Sequence, residues 1–474
     1  MNSQVTRYCV QGVGAVFLGF ALLILILVRQ ASAQLSEVPP TWGGHIRDRT
    51  RLTGSWFGLR DEMGKKGVVL DIDILQVPQG VASGGLDTVA EYGGLAEYTL
   101  NMDTQKLSLW PGGFFTVQAM SSFGQNVDSG SGALIPPDMV LLLPDFGNET
   151  TGLMSLSFTQ FLSPKFGLFA GKLSALGADT NEFAHDYHSQ FLNAGLNLNM
   201  TLALFPFTGY GGGLIILPWE GAVFSASVMD PSGRATNNNV GDAFEDGVLV
   251  AAQGRVTIKP FGLIGHQLLG FGWSDKKRVS LDQDPSNIAQ LLLTQRFPRL
   301  ADPGPALTRI LERFFPELLV PTKPPNTQNH TWSIFYNFDQ YLWSPEGYPD
   351  RGIGILFRFG ASDGEANPIK YAYNVGVGGK GAVPGRPLDS FGIGWSRVNL
   401  SDSFVPFLRS RLNLGLNKED AVELYYTAQI TRWLNATADL QIINQALNKT
   451  LDSSGQLKNV GTTVVLGLRL YARF

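Results

Sequence analysis

The chain closes on Thr462-Thr463-Val464-Val465-Leu466-Gly467-Leu468-Arg469-Leu470-Tyr471-Ala472-Arg473-Phe474, a run that alternates to its last residue. Val464, Leu466, Leu468, Leu470, Ala472 and Phe474 share one face, and Thr463, Val465, Gly467, Arg469, Tyr471 and Arg473 share the other. Successive side chains of a strand point to opposite faces, so this strand has an apolar face and a face carrying guanidinium groups. A last strand of this kind, ending on an aromatic residue, fits the closure of a membrane barrel, with its apolar face toward lipid and its charged face toward a wet lumen. The constraint extends to the whole chain. Strands can cross lipid only as a closed sheet in which every backbone group is paired.

Composition agrees. Of 474 residues, 55 are Gly, 11% are aromatic and only 16% are charged, whereas soluble domains carry about 25% charged residues. The net charge of −4 comes with no Lys/Arg-rich run, so no electrostatic footprint for a nucleic-acid partner is present. The first 33 residues read as an export signal: Arg7 is the positive n-region, Val13 to Val28 the apolar stretch, and Ala31-Ser32-Ala33 the small-residue cleavage site. The rival reading, an uncleaved anchor, needs roughly 20 apolar residues, and this stretch is shorter. Cys9 is the only cysteine and falls inside the signal, so a mature chain cleaved after Ala33 has no thiol for disulfides or Cys-ligated metals.

Residues 34–51 read as a flexible lead-in, and 52–67 as one short helix with Ser55 as its N-cap, together forming a periplasmic segment. From residue 68 the period becomes 2 and persists to the end. Segments from 68–77 through 462–474 make about sixteen strands, an even number as single-chain outer-membrane barrels show. Connections alternate short and long, as periplasmic turns and extracellular loops do. The expected fold is therefore an all-β, transmembrane antiparallel barrel over 68–474, with 175–208 as a constriction loop folded into the lumen and 276–330 as an extracellular insertion. That insertion carries helical stretches at Ile288–Leu293 and Leu307–Leu319 and reads as a cap over the mouth.

Three motifs invite chemistry. His185-Asp186-Tyr187-His188 lacks the further ligand that a metal site requires, and hydrogen bonds lining a constriction are the plainer reading. Gly376-Val377-Gly378-Gly379-Lys380-Gly381 matches G-x-G-x-x-G but sits among period-2 segments rather than in a βαβ unit, so its glycines read as serving a strand end and turn. No G-x-S-x-G elbow occurs. These readings imply no enzyme, no cofactor and no metal.

The inward-facing set Asp71, Asp73, Glu97, Asn101, Asp103, Arg255, Lys259, Arg358, Glu423, Asp439, Arg469 and Arg473 mixes both signs. Anion and cation pores concentrate one sign, whereas interspersed donors and acceptors suit neutral polyhydroxy solutes. Trp273, Trp343 and Trp395 could stack on sugar faces, although interfacial girdles also place aromatics in this way.

LTGSWFGLRDEMGKKGVVLDID (52–73), KLSLWPGGFFTVQAMSSFG (106–124), GKLSALGADTNEFAHDYHSQFLNAGL (171–196) and VFSASVMDPSGRATN (223–237) resemble, in order, segments of the OprB family of carbohydrate-selective porins. GILFRFGASDGEANP (354–368), PGRPLDSFGIGWS (384–396), ELYYTAQITRWLNATADLQII (423–443) and VVLGLRLYARF (464–474) continue that order. The resemblance implies an outer-membrane channel in which small sugars diffuse passively. On this reading Arg255, Arg358, Glu423, Asn181, Asp186 and Lys172 line the pore and meet solute hydroxyls. The implied partners are small neutral carbohydrates, outer-membrane lipid and, through the C-terminal strand, the barrel-assembly machinery; a homo-oligomer is left open. Alternatives are a plugged barrel with a structural or receptor role, and a barrel-borne hydrolase.

Overall fold

The computed structural model describes residues 38–145, 149–284, 287, 305–316 and 323–474. The expected export signal, residues 1–33, and the expected helical stretch at 288–293 lie outside the described residues. Sixteen strands form one closed antiparallel barrel. They are β1 Val68–Gly85, β2 Ala90–Asp103, β3 Gly113–Gly124, β4 Thr151–Ser163, β5 Phe166–Ser174 and β6 Thr208–Ile216. Next come β7 Ala222–Met229, β8 Leu249–Ile258, β9 Gly265–Ser274, β10 Thr331–Trp343 and β11 Gly352–Ser362. The remainder are β12 Ile369–Lys380, β13 Ser390–Leu400, β14 Lys418–Thr431, β15 Leu434–Asn444 and β16 Gly461–Arg473.

Closure occurs where the terminal strand requires it. β16 pairs with β15 (Leu468 opposite Ala438) and with β1 (Ala472 opposite Ile74), so no sheet edge remains. Its apolar face points outward: Leu466 and Leu468 are exposed on the barrel exterior, Leu466 in register through Leu440 of β15 with the exposed Leu424 of β14 and Ile393 of β13, while Arg469 is buried within. The first strand is longer than its expected 68–77. It runs on through Pro78, whose missing N–H falls where the ladder to β16 is interrupted between Gln76 and Gln79.

The segment before β1 differs from expectation in two ways. The helix, α1, covers only Leu59–Lys65, and its N-cap is Gly58 at φ 92, not Ser55. Trp56 and Phe57 both have positive φ, so the backbone turns before Gly58 and cannot carry the helix back to Ser55. Nor are the residues before it a free tether. Trp42 is buried against Gly64 of α1, where a Cβ would sit 2.4 Å from the indole, and Trp433 Nε1 donates to Ile46 O at 2.7 Å. Arg60 of α1 donates to Phe474 O at 2.9 Å and to Leu70 O at 2.7 Å, fastening the helix across the barrel seam.

At the opposite end of the barrel, helix Pro305–Phe314 of the insertion buries Ile310 and Leu311 in one cluster with Phe404, Leu414 and Leu447. The described part of the insertion is thus packed onto neighbouring loops.

Candidate functional site

Two segments between strands, 125–145 and 175–207, turn into the barrel and attach to one part of its wall. The longer is held by side chains that project inward from β10 to β16 and from β2. Arg358 on β11 donates through Nε to Asp179 Oδ2 at 2.9 Å, through Nη1 to Leu196 O at 2.7 Å, and through Nη2 to Ala184 O. Asn337 on β10 donates to Asp179 Oδ1 at 2.7 Å and Thr180 O at 2.9 Å, and accepts from Asn181 Nδ2 at 2.6 Å. Glu423 on β14 accepts the backbone N–H groups of Leu192 and Asn193 at 2.5 and 2.9 Å. Arg469 on β16 donates to Tyr187 O and Gln190 O at 2.8 and 2.7 Å. These bonds satisfy loop backbone groups that have no ladder of their own, and a buried backbone polar group without a partner is costly.

Small residues make the attachment possible. Phe183 rests on Gly354 of β11 and Gly378 of β12; a Cβ at either would come within 2.6 Å of its side chain. Phe191 and Leu196 lie over Gly392 and Gly394 of β13 in the same way. The G-x-G-x-x-G stretch therefore serves packing: Gly376, Gly378 and Gly379 lie within β12, and Gly381 opens the turn at φ 57. The shorter segment attaches beside it, Leu134 and Ile135 N–H donating to Glu419 at 2.8 and 2.7 Å, and Gln441 donating to Pro137 O at 2.7 Å.

The His185–His188 stretch ends in an ion-pair bridge. His188 Nε2 lies 2.6 Å from Glu97 Oε2 on β2, and its Nδ1 lies 2.7 Å from Asp186 Oδ1; Tyr187 also donates its hydroxyl to Glu97. Burial alone would lower the pKa of His188, but the carboxylates of Glu97 and Asp186 outweigh it and raise it to about 10. Against the cost of burial, hydrogen bonds from His188 and Ser189 hold Asp186 below the usual carboxylate range.

Several of the residues expected to meet solute are therefore committed elsewhere. Arg358 is 1% exposed and Glu423 0%, with guanidinium and carboxylate engaged by the loop. Asn181 is buried on Asn337 and Phe338 O. Lys172, on β5, does not face the lumen: it pairs opposite the outward-facing Leu156 and is buried, its Nζ donating to Arg234 O, Asn237 O and Asn238 Oδ1 at 2.8, 2.8 and 2.7 Å. Asp186 is partly exposed, yet its oxygens are taken by His188 and Ser189. Arg255 on β8 differs: it is half-buried, with its Nε unpartnered. Trp395 faces outward beside Ile393, donating to Asp420 at 3.2 Å, so it is not placed to stack on a solute in the lumen.

What the attached segments leave open lies against β3 to β8. A cavity of about 680 Å³ is bounded on the wall side by Thr116 and Gln118 of β3, Ser155, Ser157 and Thr159 of β4, Ser225 and Ser227 of β7 and Gln253 of β8, together with an apolar patch of Phe169 and Leu173 of β5, Met229 of β7 and Leu249 of β8. Opposite them the loop segments present Leu134, Leu176, Leu198, Met200 and Phe205. The sequence reading passed over the Ser/Thr/Gln residues. Their signal is period-2 hydroxyls and amides on adjacent strands, here Ser155-Ser157-Thr159 and Ser225-Ser227.

A closed sixteen-strand barrel, apolar outside and with a hydroxyl-lined cavity beside a packed inner loop, defines an outer-membrane diffusion channel, a porin. The chain belongs to the OprB family of carbohydrate-selective porins, whose model matches residues 88–474. Its fold is similar to the high-pH structure of Pseudomonas putida OprB, with a TM-score of 0.71 and 19% identity over 91% of this chain and 100% of that one. It is also similar to the low-pH structure of Pseudomonas putida OprB, with a TM-score of 0.52 and 16% identity over 90% and 99% of the two chains. No curated protein sequence matches it. Family and fold place the protein in the bacterial outer membrane.

Proposed function

We propose that the protein passes small neutral sugars down their gradient, without covalent chemistry, through the space between the hydroxyl-bearing wall and the segment 175–208, which narrows the lumen. The observation that carries this is a cavity whose lining joins apolar surface to hydroxyls and amides. A pyranose offers apolar C–H faces and a rim of hydroxyls. Apolar side chains of the loop and of the wall patch Phe169, Leu173, Met229 and Leu249, next to a run of Ser, Thr and Gln, match both, and these hydroxyls and amides donate and accept. The volume of about 680 Å³ is in the range of small-molecule sites. On this reading the chain is exported with residues 1–33 removed after Ala33, and the assembly machinery engages the terminal strand.

Liposome swelling with the purified barrel tests it. Faster swelling in glucose than in amino acids of matched size is the expected result. Equal rates would remove the sugar preference, and no swelling would remove the pore.

A further inference from the structure

A second cavity, of about 690 Å³, opens at the extracellular rim above β5 to β9. It shares the wall Ala203, Phe205, Pro206 and Phe207 with the lumenal cavity, so it stands directly outside the space described above. Its charge is one-sided. Arg234, Lys276, Lys277 and Arg278 line it, against the carboxylates of Asp145 and Asp246.

The pairing within it is incomplete. Lys276 lies 3.2 Å from Asp246, which also accepts from Ser232 at 2.6 Å, and Asp145 accepts from Thr236 at 3.2 Å. Among the described residues, Arg234, Lys277 and Arg278 form no ion pair within 4.0 Å. Arg278 is fixed by donation to Leu204 O at 2.8 Å, and its Nε is buried without a partner. Burial lowers its pKa to about 10, so at neutral pH the guanidinium keeps its charge.

We propose that this vestibule is a binding site for the carboxylate of an acidic monosaccharide, such as a hexuronate, which it takes up before the sugar ring enters the lumenal cavity. A guanidinium left with free N–H groups pairs with a carboxylate through directed, charge-assisted bonds, and the surplus of cations raises the local concentration of anions at the mouth. The neighbouring hydroxyl-lined cavity then receives the ring. The inference rests on the sugar-channel reading for that last step.

The test is solute-induced reduction of single-channel current in planar bilayers, with glucuronate and glucose added on the extracellular side as probes. Glucuronate is expected to act at a concentration several-fold below that of glucose. In the double variant Arg234→Gln/Lys277→Gln, the glucuronate effect is expected to fall to that of glucose while glucose is unchanged. Retained heat-modifiability on gels checks that the variant barrel is folded. Equal effects of the two sugars in the natural protein, or a glucuronate preference that persists in the double variant, overturn the proposal while leaving the sugar channel standing. A lack of response to both sugars overturns both readings. Loss of the glucuronate preference in salt near 1 M, where the Debye length is about 3 Å, is the further expected result.

Discussion

The two sides of this barrel follow one outward rule and opposite inward ones. On β10 to β16 nearly every second residue is buried, because the inward positions carry the loop segments. On β3 and β6 to β8 most inward positions remain half-exposed. The inward residues differ in kind as well as burial. The loaded side uses Arg358, Glu423, Arg469, Asn337 and Asn374, the last donating to Gly195 O at 2.9 Å, for directed bonds and Gly354, Gly378, Gly392 and Gly394 for clearance. The open side uses Ser, Thr and Gln, which are uncharged and both donate and accept, beside an apolar patch of Phe169, Leu173, Met229 and Leu249. Charge in this lumen thus marks where the loop is held more than where solute passes.

The largest disturbance of that contrast is expected from Arg358→Ala. It strands Asp179 inside the barrel and releases the carbonyls of Leu196 and Ala184, and breaking a buried ion pair of this kind costs about 3–5 kcal/mol. The closed ladder does not depend on Arg358, so the barrel should still form. The segment 175–207 should become cleavable by protease, and single-channel conductance should rise. A variant with unchanged conductance and protection would mean that the loop is not what narrows the lumen.

A smaller and reversible release is expected with pH at the bridge to β2. The folded pKa of His188, about 10, lies above its ordinary 6.5, so its contribution is fully present below pH 6.5 and is lost as pH rises toward 10. Asp186 is shifted the other way, so its contribution is present above its ordinary 3.8 and declines as pH falls below that value. Protection of the segment from proteolysis should therefore be greatest between these limits and fall on the alkaline side. His188→Gln should flatten the alkaline limb. An unchanged alkaline limb in that variant would assign the effect to other groups.

The wall was legible in the sequence and the loop's attachment was not. Alternation around Leu466, Leu468 and Arg469 gives which way each side chain points, because period 2 is a local property of the strand. Alternation is the same whether an inward residue meets water or another part of the chain. Arg358 meets Leu196 O across 162 residues of sequence, and Arg469 meets Tyr187 O across 282. Those acceptors are backbone carbonyls, which every residue has, so nothing in the composition of 175–208 announces them. The reading that inward charges face solute followed the usual exposure of charged side chains, and it failed where the lumen is filled by protein. The glycines at 354, 378, 392 and 394 were the available clue, since successive missing side chains on one face of adjacent strands leave a trough that something must fill.

Bulk placed at corresponding inward positions should separate the two sides. Ser227→Trp on β7 projects into the cavity and is expected to slow glucose-driven swelling several-fold with no change in thermal stability. Ser396→Trp on β13 meets Gly195 of the loop, where a Cβ would already lie 3.0 Å from the serine hydroxyl. It should lower protection of the segment before it affects flux. The reverse pattern would place the solute path on the loaded side.

The smallest effect expected is also the most direct probe of the open side. Arg255 faces the lumen on β8, opposite Val223 and Leu268, with no carboxylate paired to it among the described residues. Because it holds no loop in place, Arg255→Ser should leave stability within about 0.5 kcal/mol, as for substitutions away from cores and networks. If ions and sugars pass along β3 to β8, removing this cation should still make the channel modestly more cation-selective, which the reversal potential in a KCl gradient reads directly. An unchanged reversal potential, beside a clear change in Arg358→Ala, would mean that the space beside the hydroxyl-bearing wall is a closed pocket and that conduction runs elsewhere.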